Sequence, residues 1–371
     1  MHGLAQCFRR ARSILVAGLL ITIAGCPQPT DGTTNSSTQF LDQDGNFTFS
    51  AATALPLSDT NQLTFDGEIT GEGDLDLYSL GNLSPGDQVN IDVRALTGNL
   101  DAIAALFDNR EFLEGYSDDR ADDGSDLNPL IDVTIRGPAG EYFLGVNGFP
   151  GANTTGRYRV TVQLTRGGSV PAPSNQLVFL DWKGGQNIVV QNVGVFDLQP
   201  FSAADVGLAA SQTQQLKARV QQIVQQRYAD YNLVVQNSDD NPTPTTPHST
   251  VYFGGTNPRA FAISEHIDSE NKDQSDNTIV FSSSFDGAFS VTPTLEQMAT
   301  AIGNTTAHEI GHLLGLLHTN DAKDLMDTRG GNDSILVDQE FKTAVLDDST
   351  FPVGFQDSPE ILGWLLGMAG M

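Results

Sequence analysis

Residues 308–319 read HEIGHLLGLLHT, and three of the chain's six histidines fall inside that stretch. Four residues along a helix is about 400° of rotation, so His308 and His312 project from one face, one turn apart. Two imidazoles so placed can grip one zinc ion without backbone strain. Glu309 is displaced sideways and can hold a water instead of the metal. Gly315 lets the chain leave the helix in a left-handed conformation and turn back, which brings His318 round as a third ligand. Three nitrogen ligands leave the fourth tetrahedral position to water, the arrangement of a catalytic zinc. Zinc lowers the pKa of such a water towards about 7, and Glu309 is then placed to act as general base. The histidines must be neutral to bind, so activity is expected to fall as they protonate in mild acid. A helix with surface histidines is the competing reading, but beyond the first 25 residues only His248 and His266 lie elsewhere.

HExxHxxGxxH is the metzincin signature, and this segment is similar to it at every fixed position. Met326, eight residues after His318 in DAKDLMD, resembles the methionine turn of that family, with a spacing most like the matrixin branch. The resemblance implies one catalytic zinc, a structural role for Met326, and a protein or peptide substrate cleaved internally. The run AFAISEHIDSENKDQSDNTIVF resembles the cleft-lining edge strand and its successor. It implies a peptide lying antiparallel to Ala260, Phe261, Ala262, Ile263 and Ser264 as an added strand. His266 in that run reads as a further ligand, a cleft residue or a plain loop histidine. Two departures stand out. Asp327-Thr328 replaces the usual residue and proline after the methionine, and no tyrosine follows closely.

These residues need a scaffold, and the surrounding pattern supplies strands alternating with helices. LVFLDW (177–182) is a compact apolar strand. In 212–231, Leu216, Val220, Ile223 and Val224 make one apolar stripe, the mark of an amphipathic helix. NLVVQN, TVYFGG, AFAISEHI and NTIVFSSSF read as four further strands. Thr292-Pro293 looks like a cap and a first-turn proline opening a long helix that reaches the neighbours of His318. Residues 177–371 therefore read as an α/β peptidase domain. Its last segment, SPEILGWLLGMAGM, is about half the length of a membrane span and reads as a terminal helix packed on the domain.

Residues 46–166 follow a different grammar, with short alternating runs such as Val89-Ile91-Val93 and Tyr158-Val160-Val162-Leu164 between turn clusters. That pattern predicts an antiparallel β-sandwich with one solvated face. The order GDLDLYSL, PGDQVNIDV, DAIAALFD, DDRADDGSD, GEYFLGV…GRYRVTVQL resembles the bacterial pre-peptidase C-terminal domain, which implies a jelly-roll type. Residues 167–176 read as a linker. The loop SDDRADDGSD carries Asp118, Asp119, Asp122, Asp123 and Asp126; it reads either as a calcium site or as a solvated acidic turn, and its spacing is not that of an EF-hand.

Residues 1–25 read as a signal segment: Arg9, Arg10 and Arg12 precede an apolar run from Ile14 to Ala24. The end of that run, Ile-Ala-Gly-Cys26, resembles the lipobox of bacterial lipoproteins. The resemblance implies lipidation of Cys26, a membrane anchor, and a flexible tether over 26–45. Pro27 is not the aspartate that retains some lipoproteins at the inner membrane, which favours the outer membrane or cell surface. Without residues 1–25 the chain loses three arginines and no acids, moving the net charge from −27 to −30. Such a surface excludes nucleic acid as a partner. Cys7 and Cys26 are the only cysteines, so no thiol is left to hold the metal centre latent. The leading expectation is an exported zinc endopeptidase. The alternative is a surface adhesion lipoprotein whose sandwich binds and whose second domain is inert.

Overall fold

The computed structural model describes residues 38–42, 45–57, 61–121 and 124–370. The signal segment, Cys26 and most of the expected tether lie outside the described residues, as do Asp122 and Asp123.

The N-terminal half forms two five-stranded sheets. One has the order Gln39–Phe40, Gln62–Ile69, Gly156–Thr165, Gln88–Ala95, Leu130–Thr134; the other runs Thr53–Ala54, Leu75–Leu83, Gly140–Gly148, Ala102–Phe107, Leu113–Ser117. The long strands pair antiparallel, and the two-residue strands Gln39–Phe40 and Thr53–Ala54 add parallel edges. Gln39–Phe40 thus belongs to a sheet although the sequence reads it as tether. Val89, Ile91, Val93, Val160 and Val162 from the first sheet meet Tyr78, Leu80, Leu106, Leu144 and Val146 from the second in one core.

The expected solvated face exists on the first sheet only. Along Ala102–Phe107 every residue is buried. Ala102, Ala104 and Leu106 face the inner core, while Ile103, Ala105 and Phe107 join Leu77 and Phe143 against Leu317, Leu346 and Phe351 of the C-terminal half. The alternation of a strand delivers both faces, and here both faces are covered. Gly145 makes room for this contact, since a Cβ there would stand 2.7 Å from Phe351 Cζ. Polar links border the patch: Arg136 pairs with Glu270 at 3.3 Å, Lys272 Nζ donates to the Asp132 carbonyl at 2.9 Å, and the Phe355 amide donates to the Glu111 carbonyl at 2.9 Å.

The C-terminal half has a five-stranded sheet, in the order Leu233–Asn237, Gln176–Asp181, Ser249–Phe253, Asn277–Val280, Ala262–Ser264. Four strands run parallel, and the edge strand Ala262–Ser264 is antiparallel. Helices α1 (Thr213–Arg227) and α2 (Leu295–His312) share one core with it, through Leu216, Val220, Ile223, Ile302 and Ile310. They approach closely at Gly303, where a Cβ would lie 2.6 Å from Ile223 Cγ2. Helix α3 (Ser358–Leu366) packs Leu362, Leu365 and Leu366 into that core. No helix among the described residues is long and apolar enough to cross a membrane. A hairpin, Gly185–Val190 with Gly194–Leu198, was not foreseen from the sequence.

The start of α2 differs from expectation by two residues. Thr294, not Thr292, is the cap: its hydroxyl accepts from the Gln297 amide and Gln297 Oε1 accepts from the Thr294 amide. A glutamine three residues on completes a capping box, a stronger signal than a threonine followed by proline. The helix also stops at His312, short of His318.

Candidate metal centre

Helix α2 carries His308 and His312 on its last turn, and the chain leaves it as Gly315 adopts φ +80°. The Gly315 amide donates to His312 O and the Leu316 amide to Gly311 O, each at 2.9 Å, so the main chain closes the helix end before doubling back. A side chain at Gly315 would meet the Asp268 carbonyl oxygen at 2.9 Å, so glycine is demanded by space as well as by φ.

The turn brings His318 to the other two histidines. His312 Nε2 lies 3.1 Å from His308 Nε2 and 3.0 Å from His318 Nε2. His308 Nδ1 is 2.7 Å from the Leu325 carbonyl and His312 Nδ1 is 2.7 Å from the Leu316 carbonyl. A carbonyl can only accept, so these contacts assign the proton to Nδ1 and turn both Nε2 lone pairs towards each other. Burial pushes all three histidines below the usual range, His318 to about 3, which keeps them neutral into stronger acid than the sequence led us to expect. Lone pairs at such separations repel unless a cation sits among them. Tetrahedral zinc at about 2.0–2.1 Å from each nitrogen sets its ligands about 3.3 Å apart. The three side chains fit that ion with little movement.

Glu309 is buried beside them, and Ser264 Oγ donates to its Oε2 at 2.8 Å. Burial pushes the Glu309 carboxyl up to about 7 against the opposing pull of Ser264. Met326 is fully buried against Gly311, where a Cβ would lie 2.7 Å from its Sδ. The turn that holds Met326 is organised by Asp324, which accepts from Thr319 Oγ1 at 2.7 Å and from the Met326 amide at 3.3 Å. Ser264 was read only as edge strand, and Asp324 and Gly311 were not singled out. Gly311, a helical glycine between two ligand positions, was the available signal.

A cleft is lined by the three histidines and Glu309 together with Ala260, Phe261, Ala262 and Ile263 and with Thr328, Gly330 and Asn332. Among the described residues, the strand Ala262–Ser264 pairs on one side only, with Thr278–Val280, and ends the sheet. The residues named for substrate and for metal are thus brought together.

Among the described residues, the acids of the loop at 117–126 are not gathered in this way. Asp126 pairs with Arg94 Nη1 at 2.8 Å and accepts from the Asn128 amide, while Asp118 Oδ1 accepts from the Asp119 amide. Among the described residues, ligand-type side chains cluster in two groups, His308/His312/His318 and His266/Asp268/Asp276. His266 therefore sits in a cluster of its own.

Residues 236–335 match the family described as Matrixin. Curated proteins offer no match by sequence. Among solved structures, the pre-peptidase C-terminal domain of a collagenase from Bacillus anthracis is similar at 15% identity over 35% of this chain and 100% of that one, with a TM-score of 0.22. Archaemetzincin from Methanopyrus kandleri is similar at 10% identity over 45% of this chain and 89% of that one, TM-score 0.27. A zinc-dependent peptidase from Methanocorpusculum labreanum is similar at 12% identity over 44% and 95%, TM-score 0.27.

Proposed function

We propose that this chain is a zinc metalloendopeptidase of the metzincin type, with His308, His312 and His318 as zinc ligands and Glu309 as general base. The observation that carries the reading is the convergence of three neutral imidazole Nε2 atoms, two of them with Nδ1 committed to main-chain carbonyls, on the floor of a cleft beside an open sheet edge. The matrixin match spans the same residues up to Ile335. Bound zinc supplies a Lewis acid that activates water and polarises a carbonyl.

The chain's own residues do the rest. The free edge of Ala262–Ser264 takes the substrate as an added strand, which holds its scissile bond in register over the histidines. Glu309 takes a proton from the attacking water at its carboxylate and returns it to the leaving nitrogen. Ser264 keeps that carboxylate aimed. Met326 and Asp324 hold the turn that anchors His308 through Leu325 O.

Glu309→Ala is expected to keep bound zinc and abolish proteolysis. The test is metal analysis beside cleavage of a diverse peptide library. A zinc-loaded wild-type protein that cleaves no member of the library overturns the reading. Action outside the cytoplasm, on a lipid anchor at Cys26, is part of the proposal and rests on the leader sequence. Loss of membrane association in Cys26→Ser, followed by fractionation, tests it separately.

A further inference from the structure

The connection between strand Asn277–Val280 and helix α2 touches two segments that line the cleft. Phe289 stacks on Phe261, with ring centroids 6.1 Å apart and planes 8° from parallel, and Phe285 lies 4.5 Å from Phe261. On either side of Phe289 the same connection holds the loop after Met326. The Ala288 carbonyl accepts from Asn332 Nδ2 at 2.9 Å. Ser290 donates its amide to Asp333 Oδ1 at 3.0 Å and its hydroxyl to Asp333 Oδ2. Phe261 and Asn332 both line the cleft, so residues 285–290 bridge them. The bridge meets the edge strand at Phe261, whereas Glu309 is bonded to the other end of that strand, at Ser264.

The position of the bridge matters because an added strand has a direction. On the reading proposed above, a substrate antiparallel to the edge strand passes Ser264 first and Phe261 last. Its reacting bond lies beside Ser264, which bonds Glu309, and the residues after that bond head for the bridge. From Ser264 back to Phe261 is three residues, about 10 Å of extended chain. That space takes about two or three substrate residues.

Arg259 stands at this closed end, two residues before Phe261. Every other arginine among the described residues pairs with a carboxylate. Arg259 is exposed and has no such partner among them; its main-chain amide donates to Asn257 Oδ1 at 2.9 Å. In a chain with 46 acidic and 19 basic residues, a guanidinium left open is a place for an anion from outside.

We propose that this enzyme cuts close to the C-terminus of its substrate and releases peptides of about two or three residues, with Arg259 binding their terminal carboxylate. The inference rests on the metallopeptidase reading and narrows it to internal bonds near a free chain end. The bridge sets the length and the arginine reads the end. The reaction balances as a hydrolysis: the C–N bond breaks, hydroxide from water joins the acyl carbon, and the proton goes to the leaving nitrogen. The products are a shortened chain with a new carboxylate and a short peptide with a new amine.

The test is a ladder of peptides of one sequence, truncated one residue at a time from the C-terminus, with products identified by mass spectrometry. The cut is expected to move with the C-terminus and stay about two or three residues from it. Amidated peptides should be cut about 5-fold more slowly than free acids, and Arg259→Ala should remove that difference. Asn332→Ala/Asp333→Ala should release longer fragments. All three substituted residues are exposed, so the variants are expected to fold. Cuts at fixed sequence positions, whatever their distance from the end, overturn the proposal and leave the catalytic centre standing. Zinc-loaded protein that cuts nothing overturns the metallopeptidase reading instead. Binding of fluorescent free-acid and amidated peptides to Glu309→Ala then decides the role of Arg259, and equal affinities overturn it.

Discussion

The Ser264 hydroxyl shares its one proton between two oxygens of Glu309, Oε2 at 2.8 Å and the main-chain oxygen at 3.0 Å. One hydroxyl thus joins the strand beside the cleft to the helix that carries the carboxylate. Ser264→Ala is expected to lower kcat by roughly 10- to 150-fold with little change in KM, since a hydrogen bond to a charged group is worth about 1.5–3 kcal/mol. Steady-state kinetics on a quenched peptide reads both constants. An unchanged kcat would mean that Ser264 does not position Glu309.

Gly315 and Gly311 both lack room for a side chain, yet the two refusals differ in hardness. At Gly315 the obstacle is the Asp268 carbonyl, and φ is +80°; at Gly311 it is the tip of the Met326 side chain. Gly315→Ala should therefore cost about 2–3 kcal/mol. Gly311→Ala should cost roughly 1 kcal/mol, because a thioether can shift and alanine favours the helix. Urea unfolding ranks them, and the reverse order would contradict this account.

Glu114 is the test of pH dependence. Burial pushes its carboxyl up to about 7, despite hydrogen bonds from the Arg136 and Gly137 amides. Between its ordinary value and about 7 the unfolded chain binds fewer protons than the folded one. The stability it contributes is therefore present below about pH 4.5 and is lost as pH rises through 7. Glu114→Gln keeps the acceptor and removes the charge. It should gain on wild type across that window, by at most roughly 3 kcal/mol, and the difference should level off above it. A melting-temperature difference that stays flat from pH 4 to about 8 rejects the assignment.

Phe351→Ala should destabilise the chain by about 3–5 kcal/mol, because its ring is fully buried and lies 5.5 Å from that of Phe107 across the two halves. Limited proteolysis should then cut first between the halves. The same contact changes what deleting residues 46–166 would report. That deletion bares Leu317, Leu346 and Phe351 beside the metal centre, so lost activity would not separate an adhesin from a peptidase. Intact chains with point substitutions do.

The candidate metal centre was legible because its parts are local. Two of the proposed ligands share one helix face, and a glycine marks the turn to the third, all within eleven residues. The capping error at Thr292 was also local, and the glutamine at 297 held the information. The covered second sheet was harder to read, since its partners Leu317, Leu346 and Phe351 lie between 174 residues (Phe143 to Leu317) and 276 residues (Leu75 to Phe351) away. A trace of it was present. Ala-Ile-Ala-Ala-Leu-Phe at 102–107 is an unbroken apolar run, where a strand with one wet face would alternate. The grouping of His266 with Asp268 and Asp276 needed two strands brought together, which spacing along the chain does not specify.

Leu317 lies in the patch shared with the N-terminal sheet, and His318 is the next residue. Modules of this kind are commonly treated as interchangeable beads, moved between proteins by recombination at a linker. This one is not detachable in that sense. A replacement would have to bring an apolar outer face shaped to Leu317 and Phe351, or leave the third histidine on an unsupported loop. A substitution on either side of that patch is therefore felt on the other.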